Sequence, residues 1–306
     1  MSTLPRVISA VGSGAFTPAS EAHLARELAS HADLLATVDA FDTEEARAAL
    51  ATADVLVTGW RTPRIDAAVL EAAPNLKWIL HIAGSVKEQF TPEVWERGIE
   101  VSSAVDANAV PVAEFTLASI LMANKRVVQI AREYRERREL IDQAELGVVG
   151  SYGRRVGVVG ASRIGRRVVE LLRPFDLEVV LYDPTLSEED IAALGARAMA
   201  LEELCATSDV VTVHAPSLPS TRGLISAELI EAMPAGSALI NTSRGDVIDQ
   251  DALTARVLRG DLYALLDVTV PWALPAGHPL YDHPHAFLTP HIAGVTTLLL
   301  DPARPE

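Results

Sequence analysis

The chain has 306 residues, 49% of them hydrophobic, and a formal net charge of −15 at pH 7. That length and apolar content suit two domains with separate cores. The charge excludes nucleic acid and an anionic membrane as partners, because either would be repelled over most of the surface, so an anionic ligand needs a local positive site.

The segment Met1 to Arg6 shows no charged start leading into a long apolar stretch, and no apolar run approaches a membrane span, so the chain reads as cytoplasmic. Apolar strands then alternate with helical stretches. Strands are predicted at Arg6 to Ala10, Ala53 to Thr58, Leu76 to Ile82 and Ile99 to Ser102, with helices at Pro18 to Ser30, Ile65 to Ala72 and Pro92 to Arg97. This is an α/β unit with a small parallel sheet. After one predicted strand lies Ala83-Gly84-Ser85, a loop placed where such sheets bind ligands. The same residues equally suit an ordinary surface turn.

From Asn108, read as a cap, a long helical pattern runs through Met122, with Pro111 in its first turn. Its continuation, Arg132 to Glu139, mixes charges at helical spacing and forms a solvated face. A glycine-rich stretch, Gly147 to Gly153, leads into the central motif.

That motif begins with the apolar run Val156-Gly157-Val158-Val159, meets Gly160, and continues through Ala161, Ser162, Arg163 and Ile164 to Gly165. A buried parallel strand followed by a glycine turn and the helix Arg163 to Leu172 presents a helix N-terminus to the turn. Its unpaired N–H groups and dipole can hold a pyrophosphate. Gly165 lets helix and strand pack closely, although Ser162 stands where the middle glycine of the fingerprint belongs. A second apolar run, Glu178 to Tyr182, ends at Asp183, about 20 residues past the glycines, where a carboxylate can take both ribose hydroxyls. A carboxylate there repels a 2′-phosphate, and Pro184-Thr185-Leu186 offers no arginine, so NAD is expected over NADP. A tight turn without ligand is the plain alternative for the glycines alone.

Further on, Cys205 lies in the apolar helical stretch Leu201 to Ala206 as buried filler, and as the single cysteine it excludes an internal disulfide framework. Strands at Val210 to His214, Ala238 to Asn241 and Ala264 to Asp267 bring three more ends to one edge. These carry His214-Ala215-Pro216, Asn241-Thr242-Ser243-Arg244-Gly245 and Asp267, followed by Thr289-Pro290-His291. Hydride transfer between a nicotinamide and an oxo acid needs a cation for the carboxylate and a proton donor for the developing alkoxide. Arg244 and His291 supply those chemistries. Each also has a bland alternative, Arg244 as a surface ion pair and His291 as a structural histidine.

With these residues in view, the chain resembles the D-isomer-specific 2-hydroxyacid dehydrogenases over nearly its whole length. The motifs in order are Ala83-Gly84, Asn108 with Val112-Ala113-Glu114, the glycine turn, Tyr182-Asp183-Pro184, His214-Ala215-Pro216 with Thr221-Arg222-Gly223, Asn241 to Gly245, Asp267-Val268 and Thr289-Pro290-His291. The resemblance implies a Rossmann dinucleotide-binding domain at 104–291, inserted into a flavodoxin-like α/β substrate domain formed by 1–103 and 292–306. It also implies NAD as cofactor, a small 2-hydroxy or 2-oxo acid as substrate, and a homodimer. It assigns Arg244 and His291 to catalysis. Gly160, Ser162, Arg163, Ile164, Gly165, Asp183, His214, Pro216, Thr221, Thr242 and Asp267 go to the cofactor, with Asp267 on the nicotinamide amide. Ala83, Gly84, Ser85 and Asn108 go to the substrate.

Two departures qualify this. In similar enzymes a glutamate stands five residues after the aspartate equivalent to Asp267 and pairs with the histidine, whereas this chain has Trp272. An indole there is expected either to fill the substrate pocket or to desolvate His291, leaving it at or below its ordinary value of about 6.5. Asp282 is an alternative acid by nearness in sequence. His278, His283 and His285 read as loop residues rather than a metal cluster, and no metal is expected. The second departure is the end at Glu306, with Leu298-Leu299-Leu300 close to it, where family members continue into a returning helix. A dinucleotide-binding protein with weak or no turnover is the second reading that Trp272 leaves open.

Overall fold

The computed structural model describes residues 4–15, 17–87 and 89–295. They divide into two compact units, the first ending at Asn108 and the second running Ala109–Val295. The predicted leucine triplet at 298–300, and most of the expected return at 292–306, lie outside the described residues.

In the first unit, β1 (Arg6–Ala10), β2 (Asp33–Thr37), β3 (Val55–Thr58), β4 (Trp78–His81) and β5 (Glu100–Ser103) form a parallel sheet. Its order, β2-β1-β3-β4-β5, is the flavodoxin-like one. Alternate residues feed two cores: Ile8, Ala10 and Leu56 pack in one cluster and Val7, Val55 and Val57 in another. Burial on both faces explains why β1 and β3 read as continuous apolar runs. The sequence reading misses β2 and the helix Glu44–Leu50. In β2 only Ala36 is buried, so an edge strand with little apolar pattern leaves a weak trace.

The second unit holds β6 (Arg154–Val159), β7 (Leu177–Tyr182), β8 (Arg197–Ala198), β9 (Val210–Val213), β10 (Ser237–Asn241), β11 (Leu262–Leu266) and β12 (Ala286–Leu288). They form one parallel sheet of order β12-β11-β10-β9-β6-β7-β8. This is the doubly wound order of a Rossmann fold, extended by one strand. The direction of the order reverses at β6, and the crevice between the ends of β6 and β9 is the switch point where such sheets receive ligands. The predicted helix Arg163–Leu172 is present, with Val168, Val169 and Leu172 buried against the sheet.

Two readings are corrected. Asn108 does not cap a helix: the helix is Val105–Lys125, Asn108 donates its N–H to Ala104 inside it, and Pro111 lies beyond the first turn. An Asn followed by a proline gives a stronger start signal than Val105-Asp106, where the helix in fact begins. The same helix also shows that an apolar run of spanning length does exist, since its 21 residues pass by length and composition. Its Ala113 and Ile120 are buried with Val158, Val168 and Leu265, the packing of a core helix. At Arg126 the backbone turns left-handed, and Val127–Arg137 follows as a separate helix. Residues 132–137 are exposed, the solvated face expected, and Arg132 pairs with Glu136 and Arg137 with Glu133 and Glu145.

Candidate active site

β6 ends at Gly160, whose φ of +96° only glycine adopts freely. A side chain there would also meet the Ala215 nitrogen at 2.7 Å, and one at Gly165 would meet the Gly160 oxygen at 2.0 Å. Helix, turn and the end of β9 therefore press together with no room for a methyl group. Ser162 is accommodated because its φ of −61° suits any residue, and its hydroxyl accepts the Gly165 N–H at 3.3 Å. Arg163 and Ile164 occupy the first helical turn, whose N–H groups and dipole face the turn.

Asp183 follows β7. Its Oδ2 accepts the Ala161 N–H at 2.7 Å, and its Oδ1 accepts the Thr185 N–H at 2.9 Å and hydroxyl at 2.6 Å. Burial pushes its pKa up, but the bonds from Thr185 and Ala161 and the nearby Arg166 outweigh that and hold it below the usual carboxylate range. The group is thus ionised beside the glycine turn, with acceptor capacity left for ribose hydroxyls. Pyrophosphate donors and a ribose acid at the switch point fit a dinucleotide.

Across the switch point His214 donates its N–H to Val159 and is buried at 3% exposure, with Nε2 3.0 Å from the Thr212 hydroxyl. Burial drives its pKa down to about 3, so the ring is neutral. Pro216 and Thr221 belong to the turn beyond it, where the Thr221 hydroxyl bonds to the Pro216 carbonyl and accepts the Leu218 N–H. Thr242 is buried after β10, its hydroxyl 2.9 Å from that of Thr116.

The loop carrying Arg244 is organised by Asn241. The Asn241 amide donates to the Arg244 carbonyl at 2.8 Å and its oxygen accepts from both the N–H and the hydroxyl of Ser243. Gly245 then packs so tightly on Thr269 and Val270 that a side chain would lie 2.5 Å from the Thr269 carbonyl carbon. This contact joins the Arg244 turn to the segment ending at Trp272. Asp267, 2% exposed, donates its N–H to Asn241 and follows β11, the strand next to β10. Its Oδ1 accepts from the Thr289 hydroxyl and the Ile292 N–H, and its Oδ2 from the Ala293 N–H. The Asp267 carbonyl accepts the His291 N–H at 3.0 Å, and His291 sits at φ +55°. Arg244 follows β10 and His291 follows β12, the strands on either side of β11, beyond the same sheet edge as Gly160 and Asp183.

The ring of His291 is stacked on Trp272, with centroids 4.7 Å apart and planes 9° from parallel. Trp272 is 60% exposed. Its loop is braced by residues that the sequence reading does not single out: Gln250 bonds both main-chain groups of Val270, the Thr269 hydroxyl bonds the Pro271 carbonyl, and the Tyr281 hydroxyl bonds the Leu274 carbonyl. A glutamine and a threonine beside a proline carry no motif, and only the fold reveals their role.

In the first unit, the loop after β4 places Ala83 and Gly84 in buried positions and Ser85 exposed. A side chain at Gly84 would come within 3.1 Å of the Asn108 amide nitrogen, so loop and helix meet closely. Beneath the loop His81 is buried, bonded through Nδ1 to the Thr58 hydroxyl, and burial lowers its pKa.

The other residues that the sequence brings forward have local roles. Asp282 ends a turn with its carbonyl held by Arg132. His278 and His283 accept the N–H groups of Leu280 and His285, and His285 packs on Tyr263. Cys205 is buried in the core of the second unit, and burial pushes its thiol up to about 12.

A doubly wound sheet with a glycine turn and an ionised carboxylate at its switch point has the architecture of a dinucleotide-binding protein. Residues 117–293 match the family model described as D-isomer specific 2-hydroxyacid dehydrogenase, NAD binding domain. D-3-phosphoglycerate dehydrogenase of Mycobacterium tuberculosis (strain ATCC 25618 / H37Rv) is 32% identical over 272 residues, covering 87% of this chain and 50% of that protein. Glyoxylate reductase of Korarchaeum cryptofilum (strain OPF8) is 33% identical over 246 residues, covering 79% of this chain and 74% of that protein. The chain thus spans about half the length of the dehydrogenase and three quarters of the reductase. Among solved structures, D-mandelate dehydrogenase of Rhodotorula graminis superposes with a TM-score of 0.77 at 25% identity, covering 96% of this chain and 90% of that one. The TT0316 protein of Thermus thermophilus superposes with a TM-score of 0.74 at 32% identity, covering 94% of this chain and 90% of that one. The chain belongs to the D-isomer specific 2-hydroxyacid dehydrogenase family, and its second unit carries that family's NAD-binding domain.

Proposed function

We propose that this protein is an oxidoreductase that moves a hydride between NAD(H) and the C2 carbon of a small 2-hydroxy or 2-oxo acid. The bound nicotinamide supplies or accepts the hydride. In the direction of reduction, the Arg244 guanidinium binds the substrate carboxylate and polarises the C2 carbonyl, and His291 gives its ring proton to the oxygen as the alkoxide develops. In oxidation the neutral ring takes that proton back. Asp183, ionised and hydrogen-bonded beside the glycine turn, takes the ribose and selects NAD(H) over NADP(H). The first unit serves as the substrate domain, with Ala83, Gly84, Ser85 and Asn108 assigned to the acid.

The observation that carries this reading is the seating of Arg244 beyond β10 and His291 beyond β12, on either side of β11, whose Asp267 is bonded to both Asn241 and the His291 loop. Relatives named for phosphoglycerate and glyoxylate support a small 2-hydroxy or 2-oxo acid as the substrate class. The test is a panel of 2-oxo acids, glyoxylate, pyruvate, hydroxypyruvate and 3-phosphohydroxypyruvate, with NADH and NADPH, followed by loss of reduced-nicotinamide absorbance. Turnover of none of them sinks the proposal. In that event a binding protein with little turnover is the better reading, and the aromatic residue at 272 is what favours it. The proposed setting is the cytoplasm and the proposed assembly a homodimer. The assembly follows from the family resemblance, and light scattering on the purified protein tests it.

A further inference from the structure

We infer that Trp272 is the positioning residue of His291: its indole face fixes the plane of the imidazole and favours the protonated ring by a cation–π contact. The catalytic meaning of this rests on the reading of His291 as the proton donor. The geometry is specific. Two rings 4.7 Å apart and 9° from parallel put the imidazole over the negative face of the indole, within the distance at which a cation is attracted by it.

Two effects of an indole on a histidine oppose each other. Desolvation disfavours the imidazolium, whereas the ring quadrupole favours it. Exposure decides between them. His291 is exposed and Trp272 is 60% exposed, so the contact removes little water from the imidazole while keeping it in offset stacking on the indole face. The sign is therefore opposite to the one expected from the sequence, where only an apolar neighbour could be read.

Both partners are held independently of the contact. The His291 main chain is anchored by the Asp267 carbonyl, and the flanking N–H groups of Ile292 and Ala293 by its carboxylate. The Trp272 loop is braced by Gln250, Thr269 and Tyr281. Among the charged residues on the described strand ends, Asp267 at the end of β11 favours the imidazolium and Arg244 beyond β10 disfavours it. Both are the same in variants at position 272, so a comparison there isolates the ring.

The experiment uses the full-length protein and Trp272→Phe and Trp272→Leu. The His291 ring signals are titrated by NMR, assigned by their loss in His291→Gln, and the pH profile of kcat/KM for oxo-acid reduction is recorded alongside. Wild type should have the highest His291 pKa, Phe an intermediate one, and Leu a value about half a unit below wild type. Above the pKa, Leu should then reduce the oxo acid about threefold more slowly, with Phe restoring part of the rate. A Leu variant that titrates with or above wild type overturns the inference. A titration that follows the expected order without turnover in any protein upholds the ring contact and removes only the reductase reading. Turnover with an unmoved titration does the reverse.

Discussion

The carboxylate of Asp267 accepts the main-chain N–H of Ala293 at 2.9 Å through Oδ2, while Oδ1 accepts the Ile292 N–H at 2.8 Å and the Thr289 hydroxyl at 2.6 Å. The loop holding His291 is therefore tied to the end of β11 through one buried acid. In Asp267→Asn one oxygen becomes an NH₂ group. It faces an N–H donor in at least one of these places and cannot bond it. The expected loss is about 1.5 to 3 kcal/mol of stability, read as a lower denaturation midpoint. Faster hydrogen exchange should accompany it in the peptide covering 289–293. Unchanged exchange there would show that the carboxylate does not hold the loop.

Asp183→Ala should weaken NAD(H) binding roughly 10- to 100-fold, the equivalent of losing charged hydrogen bonds of about 1.5 to 3 kcal/mol. Discrimination against NADP(H) should relax at the same time, because the repelling charge is gone. Calorimetry with both cofactors reads the two effects. Undiminished affinity for NAD(H) would remove Asp183 from the ribose site.

Arg244→Lys should lose nearly all oxo-acid reduction and keep NADH affinity. A lysine ammonium cannot reproduce the planar, two-pronged contact of a guanidinium with a carboxylate. The Asn241 scaffold acts on main-chain atoms of this turn, so the turn itself should persist. Steady-state kinetics together with a fluorescence titration of NADH separates the two properties. Retained turnover would make Arg244 structural.

His214 gives a pH dependence of stability with a definite sign. Its folded-state pKa of about 3 lies below the unfolded value of about 6.5. Between these values the unfolded chain binds a proton that the folded one refuses, so stability is intact above pH 6.5 and falls with acid. By pH 5 the loss amounts to about 2 kcal/mol. Urea midpoints at pH 8 and pH 5 should therefore differ less in His214→Gln than in wild type. Equal differences would show that the ring protonates in the folded state.

What the sequence discloses and what it hides divide along physical lines. Strands buried on both faces, such as β3 and β9, announce themselves as apolar runs. The Gly160 turn is legible because its backbone demands glycine. Short edge elements such as β2, β8 and β12 carry too few buried side chains to leave a pattern. Asn108 misleads because a capping residue and an in-helix asparagine look alike until the preceding turn is seen. At the site, the family resemblance places Trp272 beside His291. The Trp272 loop is braced by its own Thr269 and by Gln250 and Tyr281 from two other elements, residues that carry no motif.

The residues that brace the Trp272 loop and the residue that anchors His291 are all distinct from position 272 itself. The side chain over the imidazole can therefore be exchanged without refolding either loop, and its chemistry becomes an adjustable setting on an otherwise fixed frame. An acid, an aromatic ring or an aliphatic group at this point would set different pH ranges for the same proton transfer. A single codon can in this way shift the pH range of the site while the fold stays as it is.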